Sequence, residues 1–378
     1  MTVSEWSRYL NVGWAGGATA RRTRVRLSRV QQQERNRARV LAAAREEFAE
    51  HGFRGTGVDR IAARADLTRG AVYSNFPGKR ALYFAALAEV AEQAPVGEAE
   101  ATGAAQALGA FARSWVSGLP VGGDDRGDAD LMAEITADPR ASAVFARIAM
   151  LESVLLGAAL EYLSPGERRV RVARSVLTTL HGAGRMATAA PGFTDPFTVI
   201  RACEHLAGLD LEDAWPLPHL AHVPPARAVD RPWSGPVAFD LLTRAPVSVD
   251  AGVVVVLGLR RLEAAEEALR AAPDGVPITL VPVTDDPGEL LPLVRLAVAA
   301  LRGHLSRAFP TAAWTRARIV LDPAVAAAVG VTEPDEETES ASLVEGGRIL
   351  ARAQGRGAGH AVAACASGAV PSTGASGG

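Results

Sequence analysis

The fold at the N-terminal end is decided by residues 51–79, which read HGFRGTGVDRIAARADLTRGAVYSNFPGK. Two short helical patterns begin near Val58 and Thr68. They are separated by a turn at Asp66, and aspartate tolerates the left-handed backbone better than most residues. Thr68 is a good N-cap for the second helix. The stretch therefore predicts a helix-turn-helix between about Val58 and Phe76.

A longer amphipathic helix is predicted ahead of it over Arg35–Glu50, where apolar residues repeat at helical spacing before Gly52. With Val72 and Phe76 facing inward, a hydroxyl, a guanidinium and a phenol remain outside near a helix start. Such groups suit contacts to DNA bases and phosphates. We predict this role for Thr68, Arg69, Gly70, Tyr73 and Asn75, with Lys79 at the start of a fourth helix as a phosphate site.

The charge distribution fits a polyanionic partner at this end of the chain. Up to residue 90 there are 16 Lys and Arg against 8 Asp and Glu. Because the total net charge is −2, the remainder carries ten more acidic than basic side chains. A basic segment on an acidic body is typical of a protein that meets nucleic acid at one end.

Changes in composition and stretches rich in proline and glycine divide the 378 residues into several regions. Prolines cluster before a change from helical patterns to alternating strand and helix patterns. The predicted regions are a disordered basic arm (1–33), a helix-turn-helix domain (34–93), a helical domain (100–212), a Pro-rich linker (213–230), an α/β domain (231–356) and a disordered tail (357–378).

Two distant cysteines, Cys203 and Cys365, exclude a disulfide framework, and no zinc-type spacing occurs. We expect no metal and no cofactor. The first 30 residues lack the apolar core of a signal peptide, and no membrane span is expected. These features predict a cytoplasmic protein.

Residues 51–79, with their glycines, the Ile61-Ala62 pair, Tyr73 and Phe76-Pro77-Gly78-Lys79, resemble the tetracycline-repressor (TetR) family of transcriptional regulators. The resemblance implies that Thr68 and Arg69 face bases or phosphates and that Tyr73 and Lys79 hold the DNA backbone. It further implies support from Thr56 and Arg60. Two positions depart from the family pattern: Gly57 stands where a hydroxyl is usual, and Asp66 stands where glycine is usual.

The same resemblance implies an inducer pocket and a dimer interface in the helical region. The last two helices, within about 167–209, would pair with those of a second copy. A homodimer would read a palindromic operator on double-stranded DNA. The larger side chains of the region are the pocket candidates for an unknown small molecule, and we select Phe111, Trp115, Phe145, Met150 and His181.

The α/β region resembles a thioredoxin-like (redoxin) domain in the order of its elements. Strand-like runs at Val253–Leu257 and Ile278–Val283 alternate with helical patterns, and residues 346–352 resemble the family's last hairpin. The position after the first run, Gly258–Leu262, holds no cysteine, so the thiolate that a helix N-terminus would activate is missing. The resemblance therefore implies a catalytically silent domain.

The sequence thus predicts a multidomain protein, with an all-α helix-turn-helix and ligand/dimerisation part followed by a thioredoxin-like α/β domain. Its predicted function is that of a ligand-responsive, homodimeric DNA-binding regulator. We expect a repressor, and we expect no enzymatic activity. Two alternatives stay open, a redox enzyme tethered to DNA and a protein-interaction adaptor with degenerate DNA binding. The sequence does not distinguish a repressor from an activator.

Overall fold

The computed structural model describes residues 29–118, 127–215 and 223–366. Residues 1–28 of the predicted disordered arm (1–33), the middle of the predicted linker and the end of the predicted tail lie outside these ranges. Residues 29–33, also assigned to the arm, are helical in the structure.

Four helices form the N-terminal unit: α1 (Arg29–Gly55), α2 (Val58–Arg64), α3 (Arg69–Tyr73) and α4 (Lys79–Gln93). The turn between α2 and α3 contains Asp66 with a φ of 49°, the left-handed conformation that the sequence predicted. Gly52, with a φ of 67°, ends the regular part of α1. This kink brings Phe53 back onto Tyr83, with ring centroids 5.0 Å apart. The rings join α1 to α4.

Five further helices form the helical body: α5 (Ala104–Val116), α6 (Gly127–Thr136), α7 (Pro139–Leu163), α8 (Val170–Ala189) and α9 (Pro196–Leu206). The two helices α6 and α7 are separated at Asp138 and Pro139, a pair typical of a helix start. The Asp138 side chain accepts hydrogen bonds from the backbone N–H groups of Arg140 and Ala141. Pro139 occupies the first turn of α7, where a missing N–H costs nothing.

The third region is α/β. Its strands are β1 (Arg227–Pro232), β2 (Val237–Asp240), β3 (Ala245–Ser248), β4 (Gly252–Gly258), β5 (Ile278–Val283), β6 (Ala317–Ile319), β7 (Glu339–Glu345) and β8 (Arg348–Gln354). Its helices are α10 (Ala265–Ala271), α11 (Pro287–Ala308), α12 (Thr311–Trp314), α13 (Pro323–Ala328) and α14 (Ala358–Cys365).

Six strands form a mixed sheet in the order β1-β8-β7-β4-β5-β6, and β2 and β3 form a separate hairpin. β4 to β6 run parallel, whereas β7 and β8 are antiparallel to their neighbours. Successive residues of β4 face opposite sides of the sheet. Val253 and Val255 join the large core shared with the helices, and Val254 and Val256 join a second core with Trp233 and Val320.

The boundaries of the α/β region differ from the prediction at both ends. Residues 227–230, assigned to the linker, belong to strand β1, which pairs with β8. Residues 358–365, assigned to a disordered tail, form α14, whose Ala358, Val362 and Ala363 are buried. The small side chains of this helix hide its amphipathic pattern. The mixed sheet agrees with the predicted α/β class, and the thioredoxin-like assignment stays a prediction.

The α/β region is not a separate body on a linker. One face of α11 lies along α4, α5 and α7, and a single apolar core runs from α1 through the helical body to α11 and the sheet. Ion pairs reinforce this contact. Arg295 of α11 pairs with Glu92 of α4 at 2.8 Å, and Arg302 donates to the Glu92 carbonyl oxygen at 3.0 Å. The regions therefore share their stability.

Helix α7 is long and apolar enough to cross a membrane by length and composition alone. More than half of its most apolar window is buried inside the protein, as expected of a core helix. It packs against α8 and α11. Among the described residues no other helix meets the same criteria.

Candidate nucleic-acid interface and ligand pocket

The exposed end of the N-terminal unit is built by α2 and α3. Thr68 caps α3, and its hydroxyl accepts a hydrogen bond from the Ala71 N–H at 3.2 Å. Val72 and Phe76 are buried, as predicted, and fix which side of α3 faces outward. Gly70 is exposed, and a Cβ there would meet only the Thr68 hydroxyl, at 3.8 Å. No other residue that the structure describes crowds Gly70.

Arg69 and Tyr73 lie together on the outer face of α3. The Arg69 guanidinium lies over the Tyr73 ring, 5.6 Å from its centroid, and pairs with Asp59 of α2 at 3.3 Å. Hydrogen bonding to Tyr73 and the nearby Asp59 raise the Arg69 pKa. Both partners are exposed, so the contact holds Arg69 only weakly in place. The contact keeps the Arg69 guanidinium at the surface, where a nucleic acid could replace Asp59 as its partner.

Thr56 does not fit its predicted role. Its side chain is 2% exposed, and its hydroxyl donates to the carbonyl oxygens of Glu47 at 2.9 Å and Gly52 at 2.8 Å. The hydroxyl therefore closes the end of α1 and is not free to reach a phosphate. Gly57, which starts α2 without a side-chain cap, leaves open space where a hydroxyl residue would fit.

Arg60 belongs to a charge cluster between α1 and α2. Its guanidinium contacts His51 at 2.7 Å and Glu47 at 3.2 Å. Glu47 is buried and also pairs with Arg64 at 2.8 Å. The Arg60 side chain is still about half exposed. It locks α2 onto α1 and keeps part of its charge at the surface.

Lys79 and Asn75 take partly structural positions at the start of α4. The Lys79 ammonium lies 4.2 Å from the centre of the Phe53 ring, and burial lowers its pKa. The Asn75 side-chain amide donates to the Ala71 carbonyl oxygen at 2.8 Å, and the backbone carbonyl oxygen of Asn75 accepts from the Arg37 guanidinium at 2.9 Å. Arg37 was not predicted. Its hydrogen bond joins α1 to Asn75, which follows the end of α3.

A pocket of about 730 Å³ opens in the helical body, within the size range of small-molecule sites. We call it the shared pocket, because its walls come from α4 to α8 and from α11 of the α/β region. The α11 residues that line it include Leu293, Leu296, Ala300, His304 and Arg307. A helix outside the predicted ligand domain thus completes the site.

Four of the five predicted pocket residues line the shared pocket: Phe111, Trp115, Phe145 and His181. The His181 ring makes edge contacts with Trp115 at 5.8 Å and Phe145 at 5.9 Å between centroids. Met150 is not among the lining residues. It lies on α7, and its sulfur contacts Arg147 at 3.5 Å.

Sequence reasoning missed two ionisable residues of the shared pocket. Burial raises the pKa of Glu152 on α7 to about 8, so this carboxyl is mostly protonated at pH 7. Burial lowers the pKa of His304 on α11 to about 3, and its ring accepts or donates a hydrogen bond with Ser114 at 2.9 Å. Burial also lowers the pKa of His181. An acid inside an apolar helical stretch was the available signal for Glu152.

The pocket and the helix-turn-helix are joined through α4. Leu87 and Ala91 of α4 line the pocket, and the other end of α4 follows α3. Arg80, at that end, pairs at 2.6 Å with both Glu289 of α11 and Asp138 of α7. One arginine thus connects all three regions beside the candidate DNA face.

Comparison with protein families matches residues 40–86 to the bacterial regulatory proteins of the tetR family. Comparison with curated proteins finds no match. Among solved structures, the chain is similar to RolR in complex with the ligand resorcinol, at 22% identity and a TM-score of 0.35, covering 49% of this chain and 93% of that one.

A transcriptional regulator from Rhodococcus sp. Rha1 shows 25% identity and a TM-score of 0.35, with 48% of this chain and 99% of that chain covered. NalD of Pseudomonas aeruginosa, the secondary repressor of the MexAB-OprM multidrug efflux pump, shows 21% identity and a TM-score of 0.29, with 46% of this chain and 93% of that chain covered. The family match supports a tetR-type helix-turn-helix at the N-terminal end and a DNA-binding regulator.

Proposed function

We propose that this protein is a cytoplasmic, homodimeric transcriptional regulator that binds a palindromic operator and responds to a small molecule. The observation that carries the proposal is the open outer face of α3, with Arg69, Gly70 and Tyr73 exposed, inside a segment that matches the tetR family. The alternative of a protein adaptor without DNA binding predicts no salt-sensitive DNA affinity. Regulators of this kind include repressors, and we favour repression.

The experiment that tests DNA binding compares Arg69→Ala and Tyr73→Ala on the operator and on random DNA. We expect Arg69→Ala to weaken operator binding by about 1–3 kcal/mol while random DNA changes less, because a guanidinium reads base edges. Tyr73→Ala should weaken both DNAs alike, because its contacts are to phosphates. The measurement is fluorescence anisotropy at two salt concentrations on DNA selected from random sequence by the wild-type protein.

The matched control for this comparison is Arg260→Ala. Arg260 is an exposed arginine of the α/β region, and its described side-chain partner is Glu337, in an ion pair at the surface. It should bind both DNAs as the wild type does. Equal losses on operator and random DNA for Arg69→Ala would remove its base-reading role. Failure of selection to recover any bound sequence would favour the adaptor.

The homodimer is supported by the outer surface of α8 and α9. Phe193 and Phe197 are 73% and 78% exposed, and Met186 on α8 is also exposed. A Cβ added at Gly182 on the same helix would meet none of the described residues within 4 Å. Large apolar side chains beside a small residue at open surface fit a second chain at close range.

The response to a ligand is supported by the walls of the shared pocket. A molecule inside it touches α4, which leads to the helix-turn-helix, and α11, which is tied to α4 through Arg80 and Arg295. Any displacement between α4 and α11 then reaches α3. The α/β region is, in this proposal, part of the ligand-sensing unit.

We further propose that the α/β region is a thioredoxin-like domain without thiol chemistry, so the chain is not an enzyme. Cys203 is completely buried, and burial raises its pKa to about 11. Cys365 on α14 also has its pKa raised by burial. Neither thiol supplies a thiolate at neutral pH, which thiol exchange requires.

The enzyme alternative is tested with the full chain in peroxidase and disulfide-reductase assays. We expect no turnover above that of the Cys203→Ser/Cys365→Ser double variant, which serves as the matched blank. Turnover that disappears in the double variant would establish a redox enzyme.

A further inference from the structure

Glu152 is the one acidic residue that lines the shared pocket, and it has no hydrogen-bond or ion-pair partner among the described residues. The side chain is partly exposed, and burial raises the pKa of its carboxyl. Because Glu152 is a lining residue of the pocket, we place this exposed surface in the pocket interior. A partly buried carboxyl without a partner is costly to ionise, so its natural complement is a cation delivered from outside.

The other ionisable groups that line the pocket are His181 and Arg185 on α8 and His304 and Arg307 on α11. Burial keeps both histidines uncharged at neutral pH, since it lowers their pKa values. Arg185 is exposed at the surface. Arg307 already donates to the carbonyl oxygens of Gly303, at 3.0 Å, and Pro95, at 3.1 Å. None of these groups neutralises Glu152.

Apolar and aromatic side chains form most of the remaining wall, together with the hydroxyl residues Ser114, Ser117, Thr136 and Thr188. Trp115, Phe145 and Phe111 come from the helical body, and Leu293 and Leu296 come from α11. Aromatic faces attract cations as well as apolar bodies. The pocket thus combines a buried carboxyl with rings and aliphatic side chains, in a volume of about 730 Å³.

We propose that the shared pocket binds a hydrophobic organic amine, with Glu152 as the counter-ion of its ammonium group and α11 of the α/β region as one wall. This rests on the proposed ligand-responsive function and names the class of its ligand. Bringing the ammonium to the carboxyl makes ionisation of Glu152 favourable, because an opposite charge compensates the lost hydration. A neutral molecule of the same shape gains no such interaction.

The test measures binding to the full chain by titration calorimetry, using matched pairs of protonated amines and alcohols. The probes are benzylamine with benzyl alcohol, 1-naphthylmethylamine with 1-naphthalenemethanol, and 4-phenylbenzylamine with 4-phenylbenzyl alcohol. We expect at least one amine to bind with a Kd below about 1 mM, at least about tenfold more tightly than its alcohol. Absence of binding by all three amines, or equal binding within every pair, would overturn the proposal.

Two variants locate the site. Glu152→Gln keeps the shape and should abolish the preference for the amine, whereas Glu100→Gln makes the same change at an exposed acid outside the pocket and should preserve it. Ala300→Phe fills the pocket from α11 and should weaken both members of a pair. Amine binding unchanged in Glu152→Gln or in Ala300→Phe would overturn the assignment.

DNA binding is measured separately on the same samples, so the two proposals fail in different ways. If the protein binds its operator but discriminates no amine from its alcohol, the regulator stands and the ligand class is wrong. If amines bind through Glu152 but no operator exists, the pocket assignment stands and the regulator is wrong.

Discussion

The chain cut to residues 1–215 should fail to fold as a soluble, DNA-binding protein. Helix α11 buries Leu290, Leu293, Val294, Leu301 and Leu305 in the core that it shares with the N-terminal helices. At about 1.5–3 kcal/mol for each buried side chain of this size, their loss removes on the order of 10 kcal/mol. A whole domain is stable by only about 5–15 kcal/mol. The truncated chain should aggregate or show no cooperative unfolding transition.

The matched control keeps residues 1–215 and 223–378 and cuts only the connection between them. A specific protease site replaces residues 216–222, and the cleaved halves should co-elute in size-exclusion chromatography and melt in a single transition. Both results follow if the interface, including the Arg80–Glu289 and Arg295–Glu92 pairs, holds without a covalent link. Two separating halves, or a truncated chain that binds DNA as the intact protein does, would show that the regions are independent.

This interface marks the limit of what the sequence predicts. Helical patterns were predicted between the strand-like runs of the α/β region, and α11 is one of these helices. Its broad apolar surface, however, lies along α4, α5 and α7, which all precede the linker in the chain. Periodicity shows how much of a helix is buried but not against which distant segment. The proline-rich linker therefore predicted two separate bodies where the structure has one core.

Element prediction failed where side chains are small or strands lie at an edge. β7 contains Ser340, Ala341 and Ser342, and half of the residues of α14 are alanine, so hydrophobic contrast is weak in both. β1 ends at Pro232 on the outside of the sheet, where a proline breaks no ladder. By contrast, Asp138 with Pro139 predicted the break between α6 and α7, because capping chemistry is local.

The candidate sites show the same division. The outward face of α3 followed from two inward residues, Val72 and Phe76, and the structure buries both. Thr56 was assigned by resemblance, and its burial beneath α1 depends on the path of the chain after the left-handed turn at Gly52, which a local pattern does not give. The large rings of the pocket were found by size. Glu152 and His304 were missed because both belong to the shared pocket, whose walls come from two regions that are distant in the sequence.

Placing an aspartate at Phe193 and at Phe197 should convert the protein into a monomer. If α8 and α9 pair about a two-fold axis, each substitution acts twice. Four phenylalanine side chains then lose about 1.5–3 kcal/mol each, or about 6–12 kcal/mol in total. Light scattering coupled to size exclusion measures the mass, with the wild type expected as a dimer at about 10 μM. Val237→Asp, which changes an exposed valine of β2, is the matched control and should stay dimeric.

The same double variant separates dimerisation from DNA reading, because its helix-turn-helix is untouched. A monomer engages one half-site of a palindrome and gives up the second set of contacts. We therefore expect operator affinity to fall by at least about 10²-fold, while affinity for a single half-site stays near that of the wild type. A double variant that remains dimeric would move the interface away from α8 and α9. A monomer with full operator affinity would instead show that one recognition helix, with Arg69 at its start, is sufficient.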